Sequence, residues 1–210
     1  MIKTKGQLKF YIYADRIING YPIKKSMKEY IFKFLGGYQI LSYLEIMRKL
    51  DYLKNKENNS IFNRLTQAYY HWRYVNLGTK LGFSIGYETF GYGLLIPHNG
   101  TIVVNNNCKI GNYCVLHTST CIGGGGFKII GDGLYMSAGA KIMGSGIYGT
   151  GVTLAANAVA NTGSGNNVLL VGVPSVVKRK DYPLWYIRDG KVFQDRINYI
   201  EELRKTFQIA

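Results

Sequence analysis

The chain is poor in cysteine, in histidine, in acid and in long apolar runs, and each shortage excludes something. Its 210 residues include three cysteines, Cys108, Cys114 and Cys121. An odd number at spacings of six and seven fits neither a disulfide framework nor a zinc motif, so they read as small, buried, reduced thiols. The three histidines are His71, His98 and His117. The most apolar early stretch, Ile31 to Met47, holds Lys33, Glu45 and a Gly-Gly pair, which makes it a poor transmembrane span. The opening MIKTKGQLKF has no apolar core or small-residue cleavage site of a secretory signal, so a cytoplasmic protein is expected. Acid is scarce: 12 Asp and Glu against 26 Lys and Arg give a formal charge of +14.

That charge is unevenly placed. Residues 1–80 carry 15 basic and 5 acidic side chains, residues 81–174 carry 3 and 2, and residues 175–210 carry 8 and 5. The centre is nearly neutral and the flanks are basic. Basic flanks suit phosphates or an anionic lipid surface, or simply form a solvated helical face. The basic residues are scattered and form no nucleic-acid-reading motif, so no nucleic-acid partner is expected.

The first ~80 residues read as helical, from apolar spacing in MKEYIFKFLGGYQILSYLEIMRKLDYL. Gly36-Gly37 is the expected break and Lys54 to Ser60 a polar linker. A further helix, IFNRLTQAYYHWRYVNLG, is expected to end at Gly78. His71 lies in it and is assigned a packing or surface role.

From about Leu81 the period becomes six. The units run VNNNCK from Val104, IGNYCV, LHTSTC, then, after a two-residue shift at GGGGFK, IGDGLY from Ile130, MSAGAK, IMGSGI, YGTGVT, LAANAV and ANTGSG. Six is neither a helical nor a simple strand period. Each unit can be one short strand and a turn, and three units close a triangular coil of about 18 residues. Parallel coils then stack at a strand spacing of about 4.8 Å. The first, mostly aliphatic position of each unit points inward, while glycine and asparagine serve corners that favour left-handed backbone. After VGVPSVVKRK, a hairpin is expected in YIRDGKVF with Asp189-Gly190 at its turn, then a closing helix DRINYIEELRKTF. The organisation is therefore mainly β, with a basic helical region over 1–80, a coil over 81–177 and an extension over 178–210.

HNGTIVVNNNCKIGNYCVLHTSTCIGG, IGDGLYMSAGAKIMGSGIYGTGVTLAANAV and VGVPSVV carry a resemblance. Residues 96–177, about two fifths of the chain, resemble the hexapeptide-repeat acyltransferases with a left-handed parallel β-helix, nearest to their serine acetyltransferase-like branch. The resemblance implies a homotrimer with active sites between neighbouring β-helices, acetyl-CoA along one edge, and His98 as general base. The chain also departs from the branch. Pro97 stands where an Asp commonly precedes that histidine, the loop GGGGFK has no second active-site histidine, and the tail ends in Ile-Ala. These losses remove groups suited to a small zwitterion and point to a bulkier, neutral hydroxyl, as in bacterial polysaccharide O-acetylation.

Such a reaction needs a base, an oxyanion donor and two substrates held together. An imidazole suits the first, and a backbone N–H at Gly123 or Gly124 suits the second. His117 is a second site candidate, for binding or for tuning the base, and Asp15 and Glu88 are candidates to orient His98. Small residues at Ser137, Ala138, Ala155 and Ala156 would let the pantetheine arm lie against the prism, with Lys178 and Arg179 near its phosphates. No side chain forms a convincing nucleophile arrangement, so direct transfer is expected. No metal is expected, because the zinc hydratases of this fold need three histidines and His71 lies outside the repeats. The acceptor is expected to be a glycan or a nucleotide- or lipid-linked sugar. The rival readings are N-acylation of an amino sugar, serine O-acetylation, and a non-catalytic scaffold held at the inner face of the membrane by its basic helices.

Overall fold

A strand of three residues cannot stand alone; it is stable only when parallel neighbours above and below satisfy its backbone. The chain solves this by winding. In a computed structural model, which describes residues 2–35, 37–56 and 60–209, a left-handed parallel β-helix of about five turns lies between N-terminal helices and a C-terminal helix. Its first face stacks β1 (Phe83–Ile85), β2 (Ile102–Val104), β5 (Thr120–Ile122), β8 (Lys141–Ile142) and β11 (Val159–Ala160). The second stacks β3 (Cys108–Ile110), β6 (Lys128–Ile130) and β9 (Gly146–Tyr148). The third stacks β4 (Val115–Leu116), β7 (Tyr135–Met136), β10 (Thr153–Leu154), β12 (Leu169–Val171) and the antiparallel β13 (Val176–Arg179).

The inward column is the one the period marks out. Val104, Ile110, Leu116, Ile122, Ile130, Met136, Ile142, Tyr148, Leu154 and Ala160 are all buried and belong to one core. The two-residue shift at GGGGFK is also real: Ile102 pairs with Thr120, but Cys108 pairs with Lys128.

Among the described residues, four helices precede the coil: α1 (Lys5–Ile18), α2 (Met27–Phe34), α3 (Gln39–Lys54) and α4 (Ile61–Leu81). Two follow it, the single turn α5 (Trp185–Arg188) and α6 (Lys191–Thr206). A second core joins α1 and α6 to the outside of the third face through Phe10, Ile17, Leu95, Val115, Trp185 and Ile200. The third face is thus covered by the chain's own helices around β4 and β7, whereas Val176 and Val177 on β13 stay exposed. The other two faces keep exposed apolar side chains: Val103, Phe127, Ile129, Met143 and Ile147, the last 67% exposed.

Three local expectations are corrected. Helix α4 does not end at Gly78 but runs to Leu81, with Gly82 (φ 78°) as its left-handed cap. Gly78 is a contact point instead: a Cβ there would lie 2.7 Å from the Phe83 carbonyl and 3.2 Å from the Tyr43 ring. The segment YIRDGKVF is not a hairpin. Tyr186 to Arg188 belong to α5, Asp189 caps it, and Gly190 is the N-cap of α6. The antiparallel turn lies upstream, between β12 and β13, so β13 also crosses the boundary expected at 177. Of the expected break, Gly36 lies outside the described residues, as do residues 57–59 of the polar linker; Gly37 separates α2 from α3.

Candidate active site

The chain passes from the third face to the first at one edge of the prism, and the two repeat histidines lie there. Leu95 pairs with Val115 and Ile102 with Thr120. The first corner, Pro97 to Thr101, therefore holds two residues more than the corner beneath it. The extra length takes His98 out of the inward frame and leaves it exposed. His117 sits at the next corner, half-buried, its Nε2 2.9 Å from the Tyr135 hydroxyl.

Burial pushes the His117 imidazole below its usual pKa of 6.5; His98 acts in the same direction and Asp189 opposes them. The two imidazoles are therefore close enough to repel when charged. Tyr135 is raised, chiefly by burial and then by Asp189. The Tyr135 hydroxyl and the His117 Nε2 share one hydrogen bond, and the His117 tautomer sets which of them donates. Two signs can be tested by NMR titration. Asp189→Asn should lower the His117 pKa further, and His98→Asn should raise it. A response of either in the other direction would contradict the arrangement.

Tyr135 was not read from the sequence; it stacks on Val115 in the next coil, beside the corner of His117. The C-terminal extension reaches it too. The Arg188 guanidinium lies 4.8 Å from the Tyr135 ring centre and 5.1 Å from that of Tyr182. Its Nη1 is 3.5 Å from Thr153 Oγ1 and its Nε 2.9 Å from Asp189 Oδ1. Trp185, buried and donating to the Tyr113 carbonyl at 2.7 Å, pins this turn to the coil.

Farther along the same edge the side chains shrink. The β4–β7 and β7–β10 registers put Ser137 below His117 and Ala155 below Ser137. Ser137 donates its N–H to the Leu154 carbonyl at 3.1 Å, and Asn157 donates to that of Ala138 at 3.0 Å. Ala138 and Ala156 are exposed. This is an open edge without bulky side chains. Lys178 and Arg179 are exposed on β13 at the far end of the third face, where Arg179 pairs with Leu169.

The two glycines are not beside the histidines. They follow β5, at the edge between the first and second faces, so the width of the first face separates them from His98 within one chain. Gly123 cannot offer its N–H, which donates to the Ile142 carbonyl at 2.9 Å. Gly124 is exposed with φ +76°, and a Cβ there would fall 2.1 Å from the Met143 carbonyl. Of the pair, only Gly124 keeps a donor to offer.

The carboxylates considered for His98 are engaged elsewhere. Asp15 is buried against Arg48 at 2.7 Å and accepts from the Leu94 N–H at 2.9 Å. Glu88 pairs with Lys54 at 2.7 Å and accepts from Asn55 at 2.5 Å. Both partners hold it below the usual carboxylate range against its partial burial. His71 is exposed on α4, its ring 6.4 Å from that of Tyr87. All three thiols are free, Cys108 and Cys114 buried and Cys121 half-buried. Among the described residues no group of three or more His, Cys, Asp or Glu could hold a metal ion, and no helix is long and apolar enough to cross a membrane.

No protein-family model matches the chain. Its sequence is similar to curated serine acetyltransferases. It is 24% identical to that of Staphylococcus xylosus over 184 residues, covering 83% of this chain and 77% of that one. It is 25% identical to that of Staphylococcus aureus over 181 residues, covering 83% and 78%. Together with the repeat fold, these likenesses support an acyltransferase. Solved serine acetyltransferases share the shape. The Neisseria gonorrhoeae enzyme superposes with a TM-score of 0.63 at 22% identity, covering 84% of this chain and 67% of that one. A serine acetyltransferase in complex with CoA gives 0.57 at 19% identity, covering 81% and 67%.

Proposed function

We propose that the chain is an acetyl-CoA-dependent O-acetyltransferase that works as a homotrimer, with His98 as general base, and that its acceptor is a hydroxyl of a glycan or of a sugar precursor. The observation that carries this reading is the single edge on which His98, His117, Ser137, Ala138, Ala155 and Ala156 follow one another. An exposed imidazole heads a strip of small residues open enough to take a long, thin thioester.

His98 takes the proton of the acceptor hydroxyl as its oxygen attacks the thioester carbonyl, and hands that proton to the departing thiolate. His117, held by its hydrogen bond to Tyr135, stands beside the base at the next corner of the same edge. The Gly124 N–H is suited to the developing oxyanion. Because it lies across the first face from His98, it must come from a neighbouring protomer. The exposed Phe127, Ile129, Met143 and Ile147 support the same conclusion, since they surround the Gly124 edge with apolar surface.

The glycan acceptor is supported by what is missing around His98. Pro97 stands beside it, and Asp15 and Glu88 are engaged elsewhere. Serine as acceptor is the second reading, favoured by the names of the relatives and by a solved relative in complex with serine that superposes with a TM-score of 0.62. The deciding experiment measures thiol release from acetyl-CoA with L-serine, amino sugars and neutral oligosaccharides in turn, and then the base lability of the product. A base-labile acetyl ester on an oligosaccharide is expected. Efficient turnover of serine would replace the glycan reading, an amide product would make the enzyme an N-acyltransferase, and no thiol release with any acceptor would leave a scaffold.

A further inference from the structure

A groove of about 420 Å³ begins at Pro97, one residue from His98, and runs away from the small-residue edge between α1, α3 and α6. Tyr21 and Tyr38 meet there edge to face, ring centres 5.4 Å apart, beside Gln39. Arg196 of α6 forms the opposite wall. Its Nη1 donates to the Ile18 carbonyl at 3.0 Å, and Gly20 leaves room for its guanidinium, since a Cβ there would be 2.8 Å from Nη2. Tyr21 and Arg196 also line a second hollow of about 640 Å³ that extends outward to Tyr199.

We propose that these two adjoining hollows, which share Tyr21 and Arg196, form the acceptor site and hold an oligosaccharide of at least two sugars. The hydroxyl to be acetylated would stand at His98, with the next sugar against Tyr21, Tyr38 and Arg196. The inference rests on the acetyltransferase reading and gives its acceptor a place and a class. Four considerations support it. If the donor occupies the edge that runs from His98 toward the later coils, the acceptor must approach from the other side of the imidazole, where the groove lies. The lining contains no carboxylate, so a zwitterionic amino acid would leave its ammonium without a partner there. The wall chemistry is that of sugar recognition: aromatic faces take the apolar side of a pyranose, while an amide, phenols and a guanidinium take its hydroxyls. The two hollows also exceed the needs of one small amino acid, since pockets of about 300–1,000 Å³ usually hold much larger ligands.

The test uses the full-length protein on a printed array of defined neutral oligosaccharides, followed by thiol-release kinetics on the bound ones. Tyr21→Ala, Arg196→Ala and the conservative Tyr21→Phe are compared, with the assembly state and melting temperature checked for each. The wild type is expected to bind at least one oligosaccharide and to acetylate it. Tyr21→Ala should raise the KM for that acceptor about tenfold, as expected for a lost ring stack plus its hydrogen bond. Tyr21→Phe should recover most of the loss, and the KM for acetyl-CoA should not move. An empty array overturns the proposal, and so does an oligosaccharide acceptor whose KM ignores both alanine variants; in the second case the acetyltransferase reading survives. Binding to the array without thiol release from any acceptor, serine included, would sink the acetyltransferase reading itself.

Discussion

His98→Ala is expected to lower kcat by about 10²–10⁴-fold while leaving the assembly and the KM for acetyl-CoA nearly unchanged. The size follows from chemistry. A neutral alcohol attacks a thioester poorly until its proton has somewhere to go, and on this edge His98 is the exposed base. The clean separation from folding follows from structure. His98 is exposed in a corner lengthened by two residues, outside the stacked inward column, so its removal leaves no cavity. His117→Asn should cost less, because His117 acts beside the base and not in its place. Steady-state kinetics with the best acceptor, together with sedimentation of the variant, would decide the matter. An intact trimer that turns over at the wild-type rate without this imidazole would end the mechanism proposed here.

The coil was legible in the sequence because its period is imposed by packing. A side chain at the first position of each unit has nowhere to go but into a core shared by the coils above and below it, so aliphatic residues recur there, and the insertion at GGGGFK shows as a break in their rhythm. The edge with His98, His117, Ser137 and Ala155 was legible for the same reason. Tyr135 was overlooked because the insertion at GGGGFK lengthens this coil and stacks that tyrosine on Val115, not on His117. The hairpin at Asp189-Gly190 failed because a local turn signal was outweighed by tertiary burial. Trp185 is drawn onto the coil, and α6 buries Ile197 and Ile200 against α1 and the third face. Gly78 misled because a helix can carry a glycine for the close approach of its neighbours, whereas the true end needs the left-handed backbone of Gly82. The roles of Asp15 and Glu88 were hidden because their partners, Arg48, Lys54 and Asn55, come from a helix tens of residues away in sequence and fix the helices onto the coil.

Arg48 is the residue whose loss should cost the fold most. It is fully buried, with Nε 2.7 Å and Nη2 3.1 Å from the two oxygens of Asp15. Nη1 donates to the Phe90 carbonyl at 2.8 Å and Nη2 to that of Gly91 at 2.6 Å. Asp51, 3.6 Å from Nη1, accepts from the Glu88 N–H at 2.6 Å. One guanidinium thus fastens α1 and α3 to the first coil, a few residues before His98. Arg48→Ala would strand two buried carboxylates, at a cost of about 3–5 kcal/mol. For a chain of this size that is a fall of roughly 6–20 °C in melting temperature. The sign of its pH dependence also follows. Burial already raises Asp51 even with Arg48 present. Without the guanidinium, which opposes that rise, Asp51 should take up a proton still more readily than in the unfolded chain. A carboxyl group whose folded pKa is raised favours the folded state below its unfolded pKa, and that advantage is lost as pH rises through the folded pKa. The variant should therefore lose less at pH 5 than at pH 8. Scanning calorimetry at fixed protein concentration would measure both. The companion variant Arg48→Met with Asp15→Leu, which removes charge from both partners, should recover part of the loss. If Arg48→Ala melts within two or three degrees of the wild type at pH 8, about what 1 kcal/mol would cause, the buried guanidinium does not hold the helices to the coil, and the corner that carries His98 must be fixed by apolar packing and by Asn19, which bonds the Leu94 carbonyl and the Ile96 N–H.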